Sequence, residues 1–330
     1  MLGAARRTWC ATHKQGEAME FRNSYEDDAY AAAYAKLEFP GTYYLAFRDL
    51  PEILGRHVSG ERAPGSACGT GKKALDFGCG TGRSTRFLRK LGFDAVGVDI
   101  SEEMVGRARK IDPEGDYRLV ADGELREVEQ PGRPPISARP YDQQGCRRTR
   151  EDSEHCSRAV AHGDGRHGGR RVREGGGEHC SRAVAHRSVA DGGFDLVLAA
   201  FPFDNIPTAE KKIALFRGLS AVLNAGGRIV NLVSSPEIYL HEWVSFTTKD
   251  YPENRQAKCG DEVRIINLAL GDPRPCVDII WPDADYRAVY RRAGLAVVEM
   301  CAPLGRADEP YAWVNETRIA PWVVYVLGKG

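Results

Sequence analysis

The sequence predicts an α/β protein built on a doubly wound, mostly parallel sheet. Two observations carry that expectation. Short apolar and β-branched runs of strand length alternate along the chain with stretches of helical spacing. The runs are also nearly continuous in apolar residues, as strands are when helices cover both faces of their sheet. With 330 residues the chain is long enough to bury such a core.

The elements follow in order. "KALDF" (73–77) is the first strand, and "STRFLRKLG" after it places Phe87, Leu88 and Leu91 on one helical face and stops at Gly92. "DAVGVD" (94–99) is the second strand. "SEEMVGRARK" then opens with Ser101 as N-cap and sets Glu102 and Glu103 in the positive first turn of a helix. "DYRLVAD" (116–122) and "FDLVLAAF" (194–201) are the third and fourth strands, "TAEKKIALFRGLSAVLNAGG" is a helix, and "GGRIVNLVSS" (226–235) is the fifth strand. A helix is expected in "SSPEIYLHEWVSF", capped by Ser234 with Glu237 three residues on. Beyond it "EVRIINLAL" (262–270), a Gly271-Asp272-Pro273 turn and "CVDIIWP" (276–282) form a hairpin. The helix "DADYRAVYRRAGL" and the strands "AVVEM" and "WVVYVLG" end the chain.

Two segments stand apart. Residues 1–20 carry positive charges without an apolar stretch, which predicts a disordered tail rather than a signal peptide. From Pro131 to Ala190 there is no Leu, Phe, Trp, Met or Lys but 12 Arg and 9 Gly, so this stretch has too little apolar surface to offset its ordering entropy. It repeats "EHCSRAVAH" at 154–162 and 178–186, and an identical nonamer 24 residues apart argues for duplicated coding sequence rather than a structural repeat. The expected organisation is one domain, 21–330, interrupted at about 129–190 by a disordered insertion whose ends lie near each other at the sheet edge.

Charge excludes little, because Lys+Arg and Asp+Glu balance at 46 each and partners must be argued from sites. Nine cysteines without a regular framework fit reduced thiols in a cytoplasmic protein, and no run approaches a membrane span.

In "ALDFGCGTGRSTRFL" (74–88), Gly78, Gly80 and Gly82 follow the first strand and open the first helix, where absent side chains let a ligand approach the backbone. Asp99 ends the second strand 17 residues after Gly82, placed to accept hydrogen bonds from ribose hydroxyls. Together they point to an adenosine-type ligand. The spacing is D-x-G-x-G-x-G rather than the G-x-G-x-x-G of nicotinamide dinucleotide sites, and Asp76 would repel a diphosphate.

This pattern resembles motif I of the class I S-adenosylmethionine-dependent methyltransferases, small-molecule type. The resemblance extends over roughly 250 residues through "LSAVLNAGGRIV" and the leading "NSYEDDAYAAAYAKL" (23–37), which is similar to that family's cofactor-covering helix. It implies a Rossmann-like seven-stranded sheet with the last strand antiparallel and S-adenosyl-L-methionine as cofactor. Asp76, Gly78, Cys79, Gly80 and Gly82 would approach its amino-acid end and Asp99 and Ile100 its ribose. Asp122 and Gly123 would lie beside the adenine, and Ala200 with "AAFPFDN" at the reaction centre. The long insertion departs from the family's short connection between the third and fourth strands.

Methyl transfer from a sulfonium requires orientation, exclusion of water and at most a proton acceptor, so no metal is expected. His241 is the candidate general base, with Asp204 and Asn205 as further catalytic candidates. The hairpin is expected to cover the substrate pocket, with Phe203, Tyr239, Trp243 and Trp281, and also Tyr311 and Trp313, supplying an apolar wall. The expected partner is a small-molecule methyl acceptor, with neither membrane nor nucleic acid. The oligomeric state stays open. Two other functions use the insertion: RNA or protein methylation through "GRHGGRRVREGGG", and metal binding through Cys156, His162, Cys180 and His186, whose spacing lacks the usual zinc pattern.

Overall fold

In the computed structural model, which describes residues 28–58, 69–120 and 193–330, three short helices lead into the sheet: α1 (Asp28–Ala35), α2 (Thr42–Arg48) and α3 (Leu50–His57). β1 (Lys73–Phe77) and α4 (Arg83–Lys90) are followed by β2 (Asp94–Asp99), α5 (Glu102–Ile111) and β3 (Asp116–Leu119). β4 (Phe194–Ala200), α6 (Ala209–Ala221) and β5 (Leu223–Ser234) complete the parallel part. β6 (Phe246–Thr247), β7 (Glu262–Asn267) and β8 (Cys276–Ile279) form a small antiparallel sheet, and α7 (Asp283–Arg292), β9 (Leu295–Cys301) and β10 (Trp322–Lys329) end the chain.

The seven-stranded sheet runs β3-β2-β1-β4-β5-β10-β9, and β10 alone runs against the direction of the other six strands. Successive residues of one strand enter different cores, as period-2 geometry requires of a sheet covered on both faces. Leu75, Phe77, Val197 and Ala199 pack with Phe216 and Leu219 of α6 and Tyr290 of α7. Ala74, Leu196 and Leu198 pack with Leu45 of α2, Ile53 of α3 and Leu88 of α4. Strand order reverses between β1 and β4, so ligand binding is expected at their carboxyl ends.

Local signals placed most elements. Ser101 accepts the Met104 amide at 3.3 Å as N-cap of α5, and the hairpin 262–279 forms with Glu262 opposite Ile279. Several boundaries differ from the sequence expectation: α6 ends at Ala221 and β7 at Asn267, short of the stretches 208–227 and 262–270. "SSPEIYLHEWVSF" forms only a 3-10 turn, Pro236–Tyr239, whose cap is Ser235. Ser234 instead ends β5 opposite Trp322. β5 begins at Leu223 rather than 226, with a register shift against β4 that absorbs Asn224–Gly227.

Residues 1–20, the insertion and its Cys and His residues lie outside the described residues. β3 and β4 are parallel with β2 and β1 between them, three ladder spacings or about 14 Å apart. Val120 lies at the carboxyl edge of the sheet and Gly193 at the amino edge. The expectation that the ends of the insertion, at about 129 and 190, lie near each other falls outside the described residues. Among the described residues no helix is long and apolar enough to cross a membrane.

Candidate functional site

The carboxyl ends of β1, β2, β4 and β5 open into a solvent-connected cleft of about 190 Å³. Tyr34 of α1, Tyr43 and Phe47 of α2, and Ile265, Cys276 and Asp278 of the hairpin close it from above.

The three loop glycines all have positive φ, at 72°, 53° and 80° for Gly78, Gly80 and Gly82, but they serve different ends. A Cβ on Gly78 would stand 2.6 Å from Cβ of Pro202, and one on Gly82 would stand 2.5 Å from the Tyr117 ring. A Cβ on Gly80 would enter the cleft and meet only Met104 Cε, at 3.6 Å. Gly82 does not line the cleft, so its expected cofactor contact is replaced by packing; Gly78, Cys79 and Gly80 do line it.

The loop's amides are largely committed inside the protein. Gly78 and Cys79 both donate to the Val98 carbonyl at 2.9 Å, Gly80 to Asp99 Oδ2 at 2.8 Å and Gly82 to the Cys79 carbonyl at 2.9 Å. A pyrophosphate cradle needs those N–H groups free. The amides of Gly78, Cys79, Gly80 and Gly82 do not offer one.

Asp76 is a correction to the expected cofactor contacts. It is fully buried outside the cleft lining, and its Oδ2 accepts the Ser84 and Thr85 hydroxyls at 2.6 Å each, tying β1 to the start of α4. Its Oδ1 has no partner among the described residues. Burial pushes the carboxyl up from 3.8 to about 6, against the pull of the two hydroxyls. A raised folded-state value means the folded chain binds this proton more tightly than the unfolded chain. This contribution to stability is therefore full below about pH 4 and lost as pH rises through about 6. Asp76→Asn is expected to remove that slope, checked by urea unfolding of both proteins at pH 4.5 and 7; parallel losses in the two would sink the assignment.

Asp99 lines the cleft at the end of β2. Its Oδ2 holds the Gly80 amide and its Oδ1 the Ser101 amide at 2.9 Å, which leaves each oxygen accepting capacity for a further donor. Burial nonetheless raises its pKa, partly offset by these amides. Beside it Ile100, Met104, Val120 and Leu215 offer apolar walls for a flat ring. Asp122 and Gly123 lie outside the described residues.

At the end of β4, Ala200, Phe201, Pro202, Asp204 and Asn205 face the cleft. Phe201 is the one non-glycine with positive φ among the described residues, at 72°, a strained backbone of the kind found at functional sites. Asp204 is buried and accepts the Ser234 amide at 3.0 Å and its hydroxyl at 2.8 Å. Asn205 Nδ2 donates to the Val277 carbonyl at 3.1 Å and to Asp278 Oδ1 at 2.8 Å. Tyr239 lines the cleft, as expected, and donates to Asp278 Oδ2 at 3.0 Å. Burial raises the pKa of both Asp204 and Asp278, and the negative charge of Asp278 adds to the effect on Asp204.

Other expected site residues lie elsewhere. His241 is outside the cleft, half-exposed and paired with Glu237 at 3.1 Å, so it has no route to a reacting proton. Phe203 is fully buried and stacks on Phe216 with centroids 4.0 Å apart. Trp243 is core, its indole donating to the Ile238 carbonyl at 2.8 Å. Trp281 packs over Lys212 Nζ, 4.8 Å from the ring centroid, and Tyr311 packs on Trp313. The cleft wall is instead Tyr34, Tyr43, Phe47, Phe201, Phe246 and Trp322.

Besides Asp278, the charged residues Arg83, Lys211 and Lys212 went unrecognised in the sequence. Arg83 reaches the cleft, donates to the Glu38 carbonyl at 2.6 Å and lies over four aromatic rings, 5.0 Å from that of Tyr43, without a carboxylate partner among the described residues. Lys212 is fully buried and donates to the Phe203 carbonyl, and burial lowers its pKa.

A methyltransferase-domain family matches residues 48–299. A ubiquinone biosynthesis O-methyltransferase of Methylococcus capsulatus is 50% identical over 40 residues, 12% of this chain, and the chain spans 17% of that relative's length. Solved structures with a similar course include an S-adenosylmethionine-dependent methyltransferase from Clostridium acetobutylicum, at 10% identity, with 90% of this chain and 94% of that one covered and a TM-score of 0.47. Another is the CcbJ methyltransferase from Streptomyces caelestis, at 14% identity, 92% and 99% coverage and a TM-score of 0.47.

Proposed function

Because the chain belongs to the methyltransferase-domain family, we propose that it transfers the methyl group of S-adenosylmethionine to a small-molecule acceptor by in-line displacement. The observation that carries this reading is the pairing of an internally satisfied glycine loop with Asp99. The loop's amides at 78, 79, 80 and 82 are used within the protein, while Asp99 keeps acceptor capacity on both oxygens beside an apolar slot. That donor set suits a neutral ribose and adenine, not a diphosphate.

S-adenosylmethionine, when bound, supplies a methyl carbon activated by its sulfonium. Asp99 would hold the ribose hydroxyls, and Ile100, Met104 and Val120 would flank the adenine. The bare backbone at Gly80 would admit the amino-acid end, whose carboxylate Arg83 would face. The work left to the protein is alignment and exclusion of water. α1, α2 and the hairpin supply both by covering the cleft, which also favours a small acceptor over a macromolecule. The likeness to a ubiquinone biosynthesis enzyme agrees with a small acceptor.

Asp99→Ala tests this directly. It removes charge-assisted hydrogen bonds to two hydroxyls and is expected to weaken S-adenosylhomocysteine binding by about 1.5–3 kcal/mol in calorimetry. It also strips the Gly80 and Ser101 amides of their acceptor, so stability falls with it. Asp99→Asn, which keeps a carbonyl oxygen for one amide, should recover stability more than affinity. An unchanged dissociation constant in folded Asp99→Ala would place the cofactor elsewhere.

A further inference from the structure

Resting on the reading above, we infer that the methyl acceptor is a small amine with an apolar body, and that Asp278 selects it by pairing with its ammonium form. Asp278 lines the cleft from β8, in the hairpin that covers it, with its two oxygens oriented by Asn205 at 2.8 Å and Tyr239 at 3.0 Å. Asp204 lines the same end from the turn after β4. Four aromatic rings in mutual contact, those of Tyr43, Phe201, Phe246 and Trp322, also line the cleft; Tyr43 stacks on Trp322 at 5.6 Å, and Phe201 lies 4.7 Å from Trp322. Carboxylates beside clustered aromatic faces make the usual environment for an organic cation.

The charge balance points the same way. Asp278 is faced by Asp204, by Lys212 of α6 and by the hydroxyls of Tyr239, Tyr286 and Tyr43, and Arg83 of α4 and Lys211 of α6 also line the cleft. Lys212 is committed to the Phe203 carbonyl and the Trp281 ring, and Arg83 to the Glu38 carbonyl. Among the described residues no ion pair reaches Asp204 or Asp278. A buried carboxylate with no cation in direct contact is costly in an apolar surrounding. A bound ammonium removes that cost, and an alcohol or phenol does not.

The same carboxylate has a chemical use. An ammonium nitrogen has no lone pair to attack with, so one of its protons must leave first. That proton passes to the Asp278 carboxylate, which becomes the neutral acid, and the nitrogen keeps the N–H electron pair as its nucleophilic lone pair. Burial, which already favours the protonated acid, makes Asp278 a better acceptor than an exposed carboxylate.

The test is calorimetry on the full chain saturated with S-adenosylhomocysteine, using benzylamine and its neutral counterpart benzyl alcohol as probes at pH 7.5. Benzylamine is expected to bind at least tenfold more tightly. Asp278→Asn should abolish that preference while holding S-adenosylhomocysteine affinity within threefold. In the wild-type chain, affinity for benzylamine should rise several-fold from pH 5 to 8 as the carboxylates ionise, with benzyl alcohol flat; this arm stands even if the variant does not fold. Equal affinity for the two probes, no binding of benzylamine, or a preference that survives in Asp278→Asn overturns the inference. So does an Asp278→Asn protein that loses S-adenosylmethionine affinity relative to S-adenosylhomocysteine, since the carboxylate would then serve the sulfonium. Failure of the wild-type chain to bind S-adenosylhomocysteine would instead strike the cofactor reading.

Discussion

Gly80→Val is expected to lower S-adenosylhomocysteine affinity by at least 100-fold while leaving the chain folded. Both halves of that statement come from the position of the missing Cβ. At Gly78 and Gly82 a side chain would collide with Pro202 or the Tyr117 ring, so substitution there strains the protein itself. At Gly80 the Cβ meets only Met104 Cε at 3.6 Å, and valine's two methyl groups would extend further into the cleft that Met104 also lines. The collision is therefore with the ligand. The backbone, at a φ of 53°, adds a cost of about 1–2 kcal/mol for a residue with a branched Cβ, a fraction of the stability of a domain this size. The Gly80 amide can keep its bond to Asp99, so the second cofactor contact survives in place. Calorimetry alongside thermal unfolding separates the effects: a cooperative transition lowered by a few degrees with binding lost is the expected result. Retained affinity in a folded protein would mean the cofactor does not cross this loop.

What could be read from the sequence was local. The strands, the Ser101 cap and the 262–279 hairpin each depend on residues within a turn or a short run. The pairing of the glycine loop with Asp99 depends on a spacing that the β1-α4-β2 unit enforces. The acceptor end depends on tertiary approach, and there the reading was mixed. Asp204, Asn205 and Tyr239 line the cleft, whereas His241 points to solvent and Phe203, Trp243 and Trp281 complete the core, because nothing in an aromatic or a histidine codes for which side of its turn it will face. Two missed residues did carry a signal. Asp278 is a lone carboxylate in the apolar strand "CVDIIW", on the same face as Cys276, and a charge in such a run needs a reason. Lys212 falls in helical phase with Phe216 and Leu219, on the buried stripe of α6, while its neighbour Lys211 does not. Arg83 had no such marker, since its aromatic surroundings come from α1, α2 and the segment joining them.

Glu316→Ala should be the most destabilising single substitution outside the sheet, on the order of 3–5 kcal/mol, and it should weaken the cleft from a distance. In sequence Glu316 sits in "WVNETRIAPW" and looks like a surface carboxylate. In the structure it is fully buried and each oxygen is doubly engaged. Oε1 accepts the Thr42 hydroxyl and the Val244 amide, both at 2.8 Å, and Oε2 accepts the Val314 and Asn315 amides at 2.8 and 3.1 Å. Removing the carboxylate leaves four donors without an acceptor where water has little access. The loss reaches the site because Thr42 begins α2. Its hydroxyl also accepts the Ser245 amide at 3.1 Å, and its carbonyl accepts the Trp322 indole at 2.7 Å. Tyr43, Phe47 and Trp322, all lining the cleft, are therefore positioned by one knot that Glu316 closes. Urea unfolding is expected to show the stability loss. Calorimetry under conditions where the variant is still folded should show S-adenosylhomocysteine binding weakened several-fold. Glu316→Gln, which keeps one acceptor oxygen but turns an NH₂ toward donors, should fall between wild type and alanine on both measures. If Glu316→Ala unfolds within about 1 kcal/mol of wild type, the four bonds are not what seats α2 over the cleft.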